Sequence, residues 1–343
     1  MNHKSNSDNS NFADPSPLMQ LSTAYWDSQT FLTANRIGLF DVLANGAKSA
    51  EDIAKHLQTH LRPTILFLNA CAALELLESR EGLYINTPLS ETYLVSNSPM
   101  YLGNAFRYSD NLYNTWGQLE HALRSNEPPM AEQVYTGTDT QKTRDFVYGM
   151  HNRAMGIGQA MLRLVDITGC RQMLDVGGGP GTYSALFAKR YSELHSKAID
   201  LPSVVEIAAE ILESMGAKDQ VTLIAGDYHH IEFPGGNDVV LMSGIFHRES
   251  AQSCQNLIAR GYDSLNAGGK MIVADVFTDK GGRSPLFSTL FGLNMFLTAP
   301  DGGVHSDNDV KTWMLSAGMS AVEIKSFPSP MPHRLLVGNK GER

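Results

Sequence analysis

Hydrophobic and polar positions along the chain change their rhythm at about residue 171, and the change predicts two kinds of architecture. Before it, apolar residues recur at helical spacing. Leu21, Tyr25, Phe31, Leu32, Ile37, Leu39 and Phe40 follow that spacing until Asn45-Gly46 breaks the run. Ser49 with Asp52 three residues on has the form of a capping box, with Asp in the usual Glu place, opening a short helix through Leu57. Pro63 opens a further helix to Ser79 that is apolar almost all round, so burial is expected for it. Residues 80–88 (REGLYINTP) read as a small hairpin, and the helices with this wing make a winged-helix shape. Residues 100–165 read as further helices rich in aromatics and Met, among them Tyr113, Trp116, Phe146, Tyr148, Met150, Met155 and Met161. Such residues are ordinary core, and they also suit an adaptable substrate lid.

From residue 171 short apolar runs end in Gly, Asp or Ser: MLDVGGG, HSKAIDLP, VTLIAGDY, NDVVLMSGIF and GKMIVADVF. Helical segments separate them. This alternation predicts an α/β fold with a parallel, doubly wound sheet. The last two runs, SAVEIKSF and RLLVGNK, are joined only by PSPMP, too short for a parallel crossover, so they must pair antiparallel. The expected organisation is a disordered tail over 1–17, a winged-helix dimerisation domain over 18–105, a helical lid region over 106–165 and a catalytic domain over 166–343.

Charge and cysteines narrow the function classes. Lys and Arg number 27 against 36 Asp and Glu, a net charge of −9, which is the wrong sign for a protein whose main partner is a polyanion. The helix from Pro63 to Ser79 also carries no Arg or Lys and is apolar over most of its length, so no nucleic-acid partner is expected and a dimerisation platform is preferred. Cys71, Cys170 and Cys254 form neither a metal spacing nor a disulfide framework, which suits a reducing, cytoplasmic setting without a metal. No apolar run approaches the roughly 18 residues of a membrane span, so no membrane partner is expected.

The sharpest local signal is Asp175-Val176-Gly177-Gly178-Gly179-Pro180-Gly181-Thr182, between a predicted strand and a predicted helix. Gly177, Gly179 and Gly181 allow a tight turn and a close ligand. Thr182 stands where a dinucleotide loop wants its third small residue, and Asp175 would repel a pyrophosphate. An acidic loop suits a cofactor with an ammonium or sulfonium and no phosphate, such as S-adenosylmethionine. Asp200, with Leu201 after it, closes the next strand, where a carboxylate can accept from ribose hydroxyls. Asp227 and Tyr228 close the third, where they can reach and stack on an adenine, although a lone Asp there also serves as a turn residue.

These residues resemble the caffeic-acid-type and acetylserotonin-type O-methyltransferases, over nearly the whole chain after the tail. IGLFDVL and EGLYINTPLSETYL resemble that family's amino-terminal dimerisation domain, LDVGGGPGTYS its cofactor loop, and LFGLNMFLTAPDGGVHSDND its bacterial branch. The resemblance implies a class I methyltransferase sheet, S-adenosylmethionine as cofactor, a homodimer and a small-molecule substrate. It implies His247 as general base and Asp275 as its orienting carboxylate, in place of the family's longer Glu. It also implies Ser243 against the cofactor, and Phe146, Met150, Arg153, Trp116, Met295 and His305 around the acceptor. Arg153 is open between a methionyl carboxylate, a substrate carboxylate and a surface ion pair. Arg248 and Glu249 replace the Asp-Trp that usually follows the His.

The reaction expected is O-methylation of a small hydroxylated, aromatic metabolite, because phenols lose their proton more readily than alcohols and an imidazole can take it near neutral pH. An alternative is S-methylation of a small thioether hydroxy acid, which loses no proton and needs no base. A non-catalytic cofactor-binding regulator is the more distant alternative.

Overall fold

A computed structural model describes residues 13–130 and 137–342, which form two units, 1–101 and 102–343. The first twelve positions of the expected tail lie outside the described residues. The helix begins before position 18: the Asp14 carboxylate accepts from Ser16 N–H, and α1 runs Ser16–Arg36.

In the first unit α1 stops at Gly38, whose φ of +75° a glycine adopts at little cost, and α2 (Leu39–Leu43) follows. Strand β1 (Lys48–Ser49) leads to α3 (Ala50–Leu57), where Ser49 Oγ accepts from Asp52 N–H as the capping spacing predicts. Helix α4 (Leu61–Ala73) is shorter than expected. Glu75 takes a left-handed φ of +58°, and Leu77–Arg80 becomes β2, paired with β3 (Leu83–Asn86) in a three-stranded antiparallel sheet of order β1-β3-β2. Pairing thus overrides the helical propensity of the ELLES segment. Nor is α4 buried all round: Thr64, Leu68 and Cys71 are buried, whereas Leu61, Ile65 and Leu66 are exposed. Helix α5 (Pro88–Tyr93) ends the unit, capped by Thr87.

The second unit, from Leu102 onward, opens with α6 (Gly103–Asn111). Then come α7 (Tyr113–Trp116), α8 (Leu119–Ser125) and the 25-residue α9 (Thr140–Leu164), capped by the Asp139 carboxylate on Lys142 N–H. Strands and helices then alternate: β4 (Gln172–Val176), α10 (Thr182–Arg190), β5 (His195–Asp200), α11 (Pro202–Ser214), β6 (Val221–Ala225) and β7 (Asn237–Ser243). A 3₁₀ turn at Phe246–Arg248, α12 (Ala251–Ser264), β8 (Leu265–Val276), α13 (Leu286–Phe296) and α14 (Asp307–Ser316) follow, and β9 (Met319–Ser326) with β10 (His333–Lys340) ends the chain.

The sheet has the order β6-β5-β4-β7-β8-β10-β9, parallel from β6 to β8, with β10 antiparallel to both its neighbours. Two apolar layers sandwich it. Val240, Met242, Met271, Val273 and Leu336 face one layer, and Val239, Leu241, Ile272, Ala274, Leu335 and Val337 face the other. Burial on both faces is why these strands read as unbroken apolar runs, and each fully buried side chain contributes about 1.5–3 kcal/mol. The strand order reverses between β4 and β7, so their carboxyl ends splay their following loops apart and open a crevice there.

Candidate active site

The loop after β4 is shaped by three left-handed glycines, Gly177, Gly179 and Gly181, with φ of +67°, +54° and +71°. A Cβ on Gly177 would stand 2.5 Å from Ile245 Cγ2, and one on Gly178 would stand 2.9 Å from Ala198 Cβ, so the loop admits no side chain at either place. Asp200 accepts from Gly179 N–H at 2.7 Å and from Leu201 N–H at 2.8 Å, which ties the end of β5 to the loop. Burial pushes its carboxyl up, against those two backbone donors.

Asp175 lies beneath the loop rather than in its wall. It is buried and accepts from Ser184 Oγ at 2.7 Å, and Ser184 in turn bonds Ser196. Burial drives its carboxyl up to about 7. Asp227 is half-exposed and engaged in its own turn, accepting from His229 N–H at 2.9 Å and contacting His230 Nδ1 at 3.1 Å. The Tyr228 ring lies 3.5 Å from the Gly177 Cβ position, and its hydroxyl donates to Glu249 at 2.7 Å. Ser243 ends β7, next to the carboxyl end of β4. Three carboxyl groups thus stand at the ends of β4, β5 and β6, with the Arg260 guanidinium engaged by the backbone carbonyl of Tyr228, an environment that fits a cationic, phosphate-free nucleoside cofactor.

At the end of β7 the chain turns so that His247 meets Asp275 of β8. His247 Nδ1 lies 2.8 Å from Asp275 Oδ1, so the shorter carboxylate does reach. Val276 N–H also donates to Oδ1 at 2.7 Å, and the N–H groups of Phe246 and His247 donate to Oδ2 at 3.0 and 3.3 Å. Burial raises the Asp275 carboxyl, but the neighbouring imidazole and these donors outweigh it and hold it below the usual carboxylate range. An ionised carboxylate only accepts, so Nδ1 carries a proton, and a neutral ring held this way presents its Nε2 lone pair. The His247 ring, 15 % exposed, meets the edge of Phe291 at 5.0 Å between centroids, and Phe287 stacks on Phe291. The helical pattern of α13 gives no sign that Phe291 touches the dyad; the β7 turn brings it there.

Around this dyad the expected acceptor residues divide. Trp116 Nε1 donates to Asn294 at 2.8 Å, joining α7 to the helix that carries Phe291. Met295 is buried in that helix, and Met150 is half-buried on α9. Phe146 instead packs with Leu201 against the Val204–Ile207 side of α11, toward the Asp200 end of the crevice. Arg153 is half-buried and donates to the carbonyl of Ala105 in α6 at 2.8 Å. His305 is turned away from an acceptor: its Nε2 lies 2.9 Å from the Glu249 carbonyl and 3.5 Å from Cys254 Sγ, with its ring edge-on to Trp313. Glu249 and His333 were not anticipated, because only the fold shows their neighbours. Among the described residues no group of three or more His, Cys, Asp or Glu could hold a metal, and no helix is long and apolar enough to cross a membrane.

Comparison with known proteins agrees with this geometry. The O-methyltransferase domain family matches residues 121–320, and the O-methyltransferase dimerisation domain matches 19–96. The chain is 30% identical over 332 residues to the 8-O-methyl transferase of tetracenomycin polyketide synthesis from Streptomyces glaucescens, covering 95% of this chain and 97% of that one. It is 29% identical over 336 residues to 3-hydroxy-5-methyl-1-naphthoate 3-O-methyltransferase from Streptomyces sahachiroi, covering 95% of each. The fold matches the crystal structure of human N-acetylserotonin methyltransferase in complex with its methyl donor at a TM-score of 0.86 and 24% identity, over 98% of this chain and all of that one. With a matched domain spanning most of the chain and a glycine loop, carboxylate strand ends and His-Asp dyad at one sheet edge, the protein belongs to the S-adenosylmethionine-dependent O-methyltransferases.

Proposed function

We propose that the protein methylates the hydroxyl of a small aromatic metabolite, with His247 as general base and Asp275 holding it. The observation that carries this is the 2.8 Å contact between His247 Nδ1 and a buried, ionised Asp275. The bound cofactor supplies an electrophilic methyl on a sulfonium. Gly177, Gly179, Asp200, Leu201, Asp227, Tyr228 and Ser243 are the residues that would hold it, on the strength of the cradle and the acidic strand ends. Holding reactants in line can lower the barrier by about 7–11 kcal/mol. Nε2 of His247 takes the acceptor's hydroxyl proton, for which a factor of about 10²–10⁴ is typical. Asp275 then faces an imidazolium, which it stabilises. Phe291 sets its ring beside the His247 imidazole, and the Trp116–Asn294 bond ties α7 to the helix that carries it. One relative is named for O-methylation of a hydroxy-naphthoate and another for 8-O-methyl transfer in tetracenomycin polyketide synthesis, which supports an aromatic acceptor.

The first unit would serve as a winged-helix platform for a homodimer, since Leu18, Leu21, Trp26 and Leu66 leave more than half their surface in solvent. Free, buried Cys71 and Cys254 suit the reducing cytoplasm.

The test is methyl transfer from labelled S-adenosylmethionine to a panel of phenols and a panel of small thioether acids, with wild type and His247→Ala together. Product on a phenol, falling about a hundredfold or more in the variant, is expected. Product on thioether acids alone, with the variant little impaired, would refute it.

A further inference from the structure

The turn that carries His247 is held from two sides. Asp275 takes its N–H groups, those of Phe246 and His247. Two of its carbonyls are held by a strap of residues 302–306, between α13 and α14. Gly303 N–H donates to the carbonyl of His247 at 3.0 Å, and His305 Nε2 lies 2.9 Å from the carbonyl of Glu249. A carbonyl only accepts, so that nitrogen of His305 carries a proton. The strap is itself fixed along its length. A Cβ on Gly302 would overlap the carbonyl of Met295, so the chain leaves α13 in contact with that helix's backbone. Beyond His305, Ser306 caps α14 by accepting from Asp309 N–H at 3.1 Å. Between these points the His305 carbonyl accepts at 3.1 Å from Thr278 N–H, three residues past Asp275. His305 therefore grips the turn of the base with its ring and the continuation of the carboxylate's strand with its backbone. An edge-on contact with Trp313, at 5.1 Å between centroids, keeps the ring in that direction.

Resting on the reading of His247 as the base, we propose that His305 is a positioning residue for the methyl transfer. It sets the spacing of His247 from Asp275, and so the direction of Nε2, without touching the acceptor. A single 3₁₀ turn has poor hydrogen-bond geometry of its own, so the strap supplies what the turn lacks. Displacing a reacting group by about 1 Å can cost about 10²-fold in rate.

The first readout needs no turnover. A ring N–H bonded to a carboxylate gives a far-downfield proton resonance, recorded here on the full chain saturated with S-adenosylhomocysteine, and His247→Ala identifies the one that belongs to Nδ1 of His247. His305→Phe keeps an aromatic ring against Trp313 but removes the donor, so this resonance should shift or broaden. His305→Gln places an N–H where Nε2 stood and should restore it. His305→Met, unbranched and without a donor, replaces the Phe variant if that one does not fold. The second readout is kcat. On a phenol still protonated at the assay pH it should fall about tenfold to a hundredfold without the donor and recover in His305→Gln, with KM for S-adenosylmethionine unchanged. On a phenol already ionised the loss should be about threefold or less. A resonance indifferent to the loss of the donor overturns the proposal, as does a Gln variant as impaired as the Phe variant. So does an equal loss on both phenols where His247→Ala spares the ionised one. If His247→Ala spares neither phenol, the base itself is refuted and the proposal falls with it. A resonance that moves and is rescued, with no phenol methylated, supports the hold on the dyad and rejects the phenol as acceptor.

Discussion

Replacing Asp275 by Asn probes the dyad with the least change of shape. Four N–H groups converge on the carboxylate, two on each oxygen. An amide must put its NH₂ against one of these pairs. At the Oδ2 side it would oppose two backbone N–H groups, neither of which can change role. At the Oδ1 side it opposes Val276 N–H and the His247 ring, and the ring can adapt by moving its proton from Nδ1 to Nε2. The second arrangement is therefore favoured, and it leaves Nε2 protonated and useless as a base. The full contribution of the base should vanish, about 10²–10⁴ in kcat, or roughly 3–5.5 kcal/mol of barrier. The same exchange in a serine-protease triad costs about 10⁴ for the same reason of tautomer. The assay is kcat at saturating cofactor over phenols of graded acidity. An acceptor already ionised at the assay pH needs no base, so its loss should shrink to about tenfold or less. Affinity for S-adenosylhomocysteine should not change. An equal loss across all acceptors would refute proton abstraction by His247 and leave it a positioning role.

Three further outcomes are expected. In Gly177→Ala the new Cβ meets Ile245 Cγ2 at 2.5 Å in a left-handed residue, which costs about 1–2 kcal/mol for the backbone alone. Calorimetry should show S-adenosylhomocysteine binding weakened by about tenfold or more, and unchanged affinity would remove the loop from the cofactor site. Burial raises Asp175 to about 7 in the folded protein, above its unfolded value near 3.9. Its contribution to stability is therefore full below about pH 4 and is lost as pH rises to about 7. Asp175→Asn should thus gain on wild type in urea midpoint between pH 5 and 8, by at most about 4 kcal/mol, and a gap independent of pH would contradict the assignment. Light scattering at micromolar concentration should give twice 37.6 kDa, and a mass equal to one chain would sink the dimer.

The parallel strands were legible because burial on both faces writes them as continuous apolar runs, and the glycine loop because φ above zero demands residues of one kind. The antiparallel ending followed from a five-residue link. What stayed hidden depends on lateral order. β10 lies between β8 and β9, and that insertion sets His333 beside Val276, 57 positions earlier in the chain. Spacing along the sequence carries no trace of such a pair. The end of α4 was misread for a related reason, since β2 gains its partner only when β3 folds back on it.

The residues after His247 decide between oxygen and sulfur as nucleophile, and the fold removes what they seemed to offer sulfur. Had Glu249 replaced a group that supports the imidazole, the base would be weakened and a proton-free transfer favoured. Glu249 instead turns toward the other side of the crevice, where it accepts from Tyr228 and Ser253 at 2.7 and 2.5 Å and contacts His229 at 3.1 Å. It thereby holds the Tyr228 ring over the glycine loop. The carbonyl of the same residue fixes His305, withdrawing the side chain that a small thioether acid would have needed as a clamp. Meanwhile Asp275 keeps every contact that prepares a histidine to accept a proton. The departure at Glu249 therefore falls on the Tyr228 side of the site, and the contacts of Asp275 with His247 that carry the proposed deprotonation are intact.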